Sequence, residues 1–423
     1  MSADGSVDAA THERIAARLE ALRPRVRALA VALYENPETG FQEHASVRRI
    51  AELLTEEGVD VEIGAFGLDT AFRATAGTPA AVDSPASTGV GPAPHFAVVA
   101  EYDALPGIGH ACGHNIIAGI AVGAFLAAAP IVAELGGRLS LIGTPAEENG
   151  GGKELILRAG GFDDVDAAGM VHPGSGAQAS PVAGQRTTGV RRVAATFHGR
   201  AAHAAGAPWL GRNALDGVVT AYQSVAQLRQ HILPTDRIHG IITDGGAAPN
   251  IVPERAAALF YVRAAEIDEL RDLTDRVVAV LEGAALATGT RVEIDLDPVP
   301  PYLPLRHSVA LGEAWARGLA TRGRTVPPPT VLAPPGGPST DMGNVSLFVP
   351  SIHPSIGLGG PPEVFPHNAA FAALTVTDTA IDALIDAAVG LATAAVAFAA
   401  DADLRAAAAD EFAAAGGRYR WDD

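Results

Sequence analysis

Three short runs, residues 96–100 (FAVVA), 139–143 (LSLIG) and 167–171 (AAGMV), are apolar at nearly every position, and helix-like stretches at 116–135 and 153–159 separate them. Continuous apolar strands alternating with helices predict a parallel sheet buried on both faces. Each run gives way to chemistry. The first leads into Glu101-Tyr102-Asp103-Ala104-Leu105-Pro106, the second into Thr144-Pro145-Ala146-Glu147-Glu148, and the third into His172-Pro173. Ligand sites in such sheets lie outside the carboxyl ends of the strands. A random arrangement would scatter these polar groups over both ends, so their collection at one end predicts an active site there.

Upstream, the pattern predicts helices over 11–34, ended by the Asn36-Pro37 turn signal, and over 43–57, stopped by Gly58. β-rich runs follow at 59–63 and 70–75, and the Pro-, Gly- and Ser-rich stretch 77–94 predicts a surface loop. From 187 to 296 the texture changes. Strand-like runs at 190–197, 237–243, 254–262 and 291–296 enclose amphipathic stretches at 213–230 and 266–287. The order β-α-β-β-α-β predicts a ferredoxin-like insertion. Beyond it come a helix at 308–320, a proline-rich loop at 327–338, a strand over 347–352 and Ala-rich helices. The fold class is therefore α/β: a catalytic domain (1–186 and 298–423) with a mostly parallel sheet flanked by helices, and an inserted α+β domain (187–297).

Composition agrees with two domains, since 423 residues exceed what one core usually supports. A formal charge of −18 argues against nucleic acid and anionic membrane surfaces as partners. The apolar stretches 116–133 and 387–400 read as buried helices rather than membrane spans: Pro130 interrupts the first and the second is too short. Residues 1–11 carry no basic and apolar signal pattern, and one cysteine suits a reducing compartment, so a cytoplasmic location is expected. Lys153 is the only lysine, which with the heavy Ala, Gly and Pro usage reads as a GC-rich genome.

That cysteine lies in His110-Ala111-Cys112-Gly113-His114-Asn115. Thiolate and imidazole are good ligands for zinc-like ions, and Gly113 permits a tight turn between them. Alternatives are a buried apolar cysteine or a Cys–His nucleophile, which leaves the neighbouring carboxylates unexplained. Beside a metal, Glu147 and Glu148 can divide labour, one ligating and one accepting a proton; on a surface they are an ordinary solvated pair. His172 alone reads as a strand-end residue, His367 as part of an N-terminal cap region with Asn368 as cap, and His203 as an exposed imidazole. Gly150-Gly151-Gly152-Lys153 lacks the spacing and the Ser/Thr of a phosphate-binding loop.

Taken in order, Asp103-Ala104-Leu105-Pro106, His110 to His114, Pro145 to Glu148, His172, Gly199-Arg200-Ala201-Ala202-His203-Ala204, Asn250-Ile251-Val252-Pro253, Ser339-Thr340-Asp341-Met342-Gly343 and His367 resemble the aminoacylase, carboxypeptidase G and indoleacetyl-amino-acid hydrolase family of dinuclear metallopeptidases, metallopeptidase family twenty. The resemblance spans nearly the whole chain. The cysteine-containing motif is similar to the family's amidohydrolase branch. That branch usually has Asp where this chain has Asn115; together with Ser351-Ile352-His353-Pro354, Asn115 resembles the aminoacylase-1-like-2 subgroup, which includes dipeptidases and aminobenzoyl-glutamate hydrolases. The resemblance implies two divalent ions, zinc or manganese, held by Cys112, His114, Glu148, His172 and His367, with Glu147 as general base. It further implies His203 as oxyanion stabiliser, often supplied by the neighbouring subunit, and Asn250 as a substrate contact. Closure of the insertion would exclude water, and the same domain would form a homodimer. The implied reaction is hydrolysis of the amide bond of N-acyl amino acids or related small amides, or alternatively of dipeptides at the same centre.

Overall fold

The computed structural model describes residues 7–77, 93–177, 179, 187–327, 337–361 and 363–422; most of the predicted loops 77–94 and 327–338 lies outside the described residues. The chain divides into two compact units, Met1–Gln185 with Arg306–Leu332 and Asn344–Asp423, and Arg186–Leu305 with Ala333–Gly343.

The first unit opens with α1 (Ala9–Glu35) and α2 (His44–Glu56). Asp8 caps α1 by accepting from the Thr11 amide at 2.8 Å. Ile15, Leu19, Leu22, Val26, Leu29 and Leu33 form its buried stripe at helical spacing. There follow β1 (Val61–Ile63), β2 (Phe72–Ala76), β3 (His95–Ala100), α3 (His114–Glu134), β4 (Arg138–Gly143), α4 (Gly152–Arg158), β5 (Ala167–Gly169) and β6 (His172–Gly174). The second unit contributes β7 (Gly189–His198), β8 (Ala202–His203), α5 (Ala214–Leu228), β9 (Arg237–Asp244), β10 (Ile251–Val252), β11 (Arg255–Ala264), α6 (Ile267–Thr288) and β12 (Arg291–Leu296). The chain returns through α7 (Val309–Ala320), α8 (Met342–Ser346), β13 (Ser351–Ile352), β14 (Ser355–Gly357), α9 (Ala369–Leu374), α10 (Asp378–Ala400) and α11 (Ala402–Ala414).

The six-stranded sheet of the first unit has the order β1-β2-β4-β3-β5-β13. The β4/β3, β3/β5 and β5/β13 pairs are parallel, while β1 and β2 form an antiparallel edge. β3 is buried at every position, as its unbroken apolar run requires. α3 and α10 pack on each other and against β3. By length and composition both helices could cross a membrane, but both are buried along nearly all their length within the protein. Their close approach depends on Gly119, where a Cβ would lie 2.5 Å from Leu384 Cδ1.

The second unit is a four-stranded antiparallel sheet of order β12-β7-β11-β9, with α5 and α6 packed together and against it. This is the ferredoxin-like arrangement. Residues returning from β12 stay with this unit: the Val190 amide donates to the Tyr302 carbonyl at 2.8 Å, and Arg263 donates to Ser339 Oγ at 2.7 Å.

Two predicted strands are corrected. Over 347–352 only Ser351–Ile352 is extended. Phe348 and Val349 both donate to the Val345 carbonyl, so the apolar run continues the turns of α8, and its burial needs no strand periodicity. The run 167–171 ends as a strand at Gly169, and a separate parallel pair, β6 with β14, starts at His172.

Leu384→Ala, which empties the space beside Gly119, is expected to lower the unfolding free energy by about 2–5 kcal/mol. The readout is a lower urea midpoint at unchanged slope, and an unchanged midpoint would contradict the α3–α10 contact.

Candidate metal centre

All the groups gathered here belong to the first unit. The segment after β3 supplies Glu101 and Asp103, the loop into α3 supplies Cys112 and His114, and the turn after β4 supplies Glu147 and Glu148. His172 opens β6, and His367 lies just before α9, whose N-cap is Asn368.

The backbone is forced into shape around these residues. Gly113 has φ +88°, and a Cβ there would sit 2.5 Å from Pro173 Cγ, so only glycine lets the Cys112–His114 loop close against the segment carrying His172. Ala146 and His367 are non-glycine residues at φ 57° and 70°. Such conformations cost on the order of 1–3 kcal/mol and persist only where surrounding contacts fix them. Ala146 is fixed by its amide donating to Glu43 Oε1 at 2.9 Å and by its carbonyl accepting from Gly150 and Gly151. His367 is fixed by its amide donating to the Ala111 carbonyl at 2.7 Å.

Three pairs of potential ligand atoms stand at nearly equal separations. Cys112 Sγ is 3.4 Å from His172 Nε2, His114 Nε2 is 3.5 Å from Glu101 Oε2, and His367 Nε2 is 3.5 Å from Glu148 Oε1. Metal bonds of about 2.0–2.3 Å in tetrahedral geometry place neighbouring ligands roughly 3.3–3.6 Å apart, so each pair matches one edge of a coordination shell. His114 Nε2 also lies 3.8 Å from Glu147 Oε2 and 3.9 Å from Glu148 Oε1. Three overlapping groups, Cys112–His114–His172, Cys112–Glu148–His367 and Glu101–His114–Glu147, each keep their ligand atoms within 4.8 Å of one another.

The opposite ring nitrogens are already committed. His114 Nδ1 pairs with Asp103 Oδ1 at 2.9 Å, and His172 Nδ1 pairs with the Pro173 carbonyl at 2.6 Å. Both imidazoles therefore turn Nε2 inward, as outer partners of metal-bound histidines do. Glu101 Oε2, His114 Nε2 and Glu148 Oε1 are buried without a hydrogen-bond partner. Leaving such atoms unpaired is costly unless something else satisfies them.

The electrostatics point the same way. Burial works against a charged His114, but the carboxylates of Asp103 and Glu101 outweigh it and hold the imidazole well above its ordinary range. Burial pushes the Asp103 carboxyl up, yet the charge of His114 and its hydrogen bond, with the Glu148 amide, keep it below the usual range. Burial drives the Cys112 thiol well up, with Glu148 and Glu147 adding to the effect. Burial, then the charge of His114, brings His172 down to about 4 and so keeps it a neutral donor. The cluster is a field that favours added positive charge, and a divalent ion fits it.

The structure thus brings together Cys112, His114, Glu147, Glu148, His172 and His367. His203 and Asn250 belong to the second unit. His203 pairs with Ile251 in the β8–β10 ladder, and just beyond it the Ala204 amide donates to the Asn250 carbonyl at 3.0 Å. His203 is exposed, and its Nδ1 accepts from the Ala205 and Gly206 amides at 3.2 and 3.0 Å. Its proton consequently sits on Nε2. Sequence reasoning gave no role to Glu101 or Lys153. Lys153 is fully buried and donates from Nζ to Glu101 Oε1 at 2.5 Å. The available signal was a lone lysine, separated from the strand-end Glu147-Glu148 by Asn149 and three glycines.

Residues 186–288 match the model of the peptidase dimerisation domain. The chain is 37% identical over 354 residues to the Xaa-Arg dipeptidase of Mus musculus, covering 82% of this chain and 79% of that protein. It is 36% identical over 309 residues to a subunit of the p-aminobenzoyl-glutamate hydrolase of Escherichia coli (strain K12), covering 68% of this chain and 61% of that protein. Among solved structures it is similar in fold to a dinuclear metal-binding peptidase of the M20 family from Bacillus subtilis, with a TM-score of 0.59, 20% identity, and coverage of 88% of this chain and 98% of that one.

Divalent ions should stabilise the native state, by about 2.7 kcal/mol at a hundredfold excess over the dissociation constant. Asp103→Asn, which alters an outer partner of both His114 and the Glu148 amide, is expected to weaken metal binding about 10–100-fold, and Cys112→Ser at least as much. Thermal unfolding with and without zinc reads both effects, and a melting temperature indifferent to metal would contradict the assignment.

Proposed function

The chain belongs to the M20 family of peptidases, and on that premise we propose that it is a metal-dependent amidohydrolase that cleaves the amide bond of N-acyl amino acids or related small amides. The observation that carries this reading is the convergence of Cys112, His114, Glu148, His172 and His367, with the Cys112–His172 and Glu148–His367 pairs at coordination spacing and a buried second carboxylate, Glu147, beside His114. Hydrolysis of dipeptides at the same centre is the second reading, favoured by the 37% identity to the Xaa-Arg dipeptidase.

We assign Cys112, His114, Glu148, His172 and His367 to two divalent ions, zinc or manganese. When bound, the ions would supply Lewis acidity that polarises the scissile carbonyl and favours loss of a proton from the attacking water. The Glu147 carboxylate takes that proton and returns it to the leaving nitrogen, so one group acts first as base and then as acid. Asp103 holds the His114 ring in the tautomer that leaves Nε2 free to ligate. His203, with its proton on Nε2, is suited to donate to the developing oxyanion, from its own or the partner subunit. Asn250 is the proposed substrate contact beside it. A single cysteine serving as a ligand suits a reducing cytoplasm.

We assign the second unit to a homodimer interface. Among the described residues, β9 is an edge strand paired only with β11, and Ile241 and Ile242 on it are 61% and 44% exposed. An edge strand with exposed apolar side chains is a template for pairing with another copy.

Glu147→Gln is expected to lower kcat by about 10²–10⁴-fold while metal content stays at the wild-type level; undiminished, chelator-insensitive turnover would overturn the mechanism. Parallel assays of N-acyl amino acids and dipeptides with free α-amines decide between the two substrate readings. Ile241→Arg should shift a dimer towards monomer in light scattering, and a mass unaffected by it would move the interface elsewhere.

A further inference from the structure

The chain's only lysine is wholly buried in the first turn of α4. Its Nζ donates to Glu101 Oε1 at 2.5 Å, and Glu101 is 1% exposed. Removing a lysine and a glutamate from water is expensive, and their mutual attraction seldom repays it better than a well-packed apolar pair would. Stability alone therefore gives no reason for this pair.

The second oxygen of Glu101 supplies one. Oε2 is buried without a hydrogen-bond partner and stands 3.5 Å from His114 Nε2, itself buried and likewise without a hydrogen bond. A carboxylate oxygen and an imidazole nitrogen that make no hydrogen bond, held one coordination edge apart, have a common cation as their natural third partner. Glu147 completes a group with them. We propose that Glu101 is a further ligand of the metal centre, through Oε2, and that Lys153 is a positioning residue that occupies Oε1 and so turns Oε2 inward. This rests on reading the cluster as a metal site. Formal charge is compatible with the larger set: with neutral imidazoles, two divalent ions and the Lys153 ammonium balance the Cys112 thiolate and the carboxylates of Glu101, Asp103, Glu147 and Glu148 one for one.

A single lysine makes the test specific, because ε-¹⁵N-lysine labelling gives one side-chain signal. Titrating the metal-free full-length protein with Zn²⁺ should shift the Nζ resonance in step with ion binding, and Glu101→Gln should abolish that shift. Competition with a chromophoric chelator should show that Glu101→Gln weakens one ion at least tenfold. Lys153→Met should weaken the same ion, and Lys153→Arg should recover part of its affinity. Circular dichroism of the metal-free variants checks that they fold, and the wild-type Nζ titration stands without any variant. Wild-type dissociation constants for both ions in Glu101→Gln, or an Nζ signal unmoved by a saturating metal, would overturn the proposal alone. A wild-type protein that binds no divalent ion would overturn it together with the metal-centre reading.

Discussion

The buried carboxylate of Asp103 is the tie on which the candidate centre depends. One oxygen meets His114 Nδ1 at 2.9 Å, and the other accepts from the Glu148 amide at 3.0 Å. One side chain after β3 thus sets the ring of a residue opening α3 and the backbone of the turn after β4. It can do so because β3 and β4 are parallel neighbours whose carboxyl ends emerge side by side. The sheet is a precondition of the clamp, since the antiparallel β2/β4 edge cannot present two carboxyl ends together. Few partners compete for Asp103, because β3 and α3 are buried almost throughout. At low effective dielectric each of its contacts is stronger than it would be in water.

Much of this was legible in the sequence, for identifiable reasons. The runs 96–100 and 139–143 could be read as strands because an unbroken apolar run bounded by turns has few other uses in an α/β chain, and the residues after them fell at one sheet edge by topology. The β-α-β-β-α-β order of the second unit was equally plain from its alternating periods. The shortest pieces were not legible. β6 and β14 each span three residues and include proline or glycine, so they carry no periodic signal. Residues 347–349 mislead because burial makes a helical turn and a strand equally apolar. The pairing of Lys153 with Glu101 is invisible for another reason: it joins residues 52 positions apart, and a lysine after glycines reads as surface. His203 and Asn250 were named by resemblance, and the structure adds the neighbouring backbone that fixes the tautomer of His203.

The geometry also bears on the rival chemistry of Cys112. A cysteine 3.4 Å from an imidazole has the outline of a nucleophilic dyad. Such a dyad needs the imidazole to take the thiol proton and keep it, so the histidine must sit high and the thiol low. Here the order is inverted. Burial pushes the Cys112 thiol up, and burial together with the charge of His114 brings His172 down to about 4. Spontaneous proton transfer from one to the other is therefore strongly unfavourable. A metal ion changes both demands at once, because it binds the thiolate and the neutral imidazole, the two forms that must coexist. The same burial leaves oxygens of Glu101 and Glu148 and the inward Nε2 of His114 without hydrogen bonds, a setting that a cation would satisfy. For the Cys112–His172 pair the surroundings favour the proposed ligand role over the nucleophile.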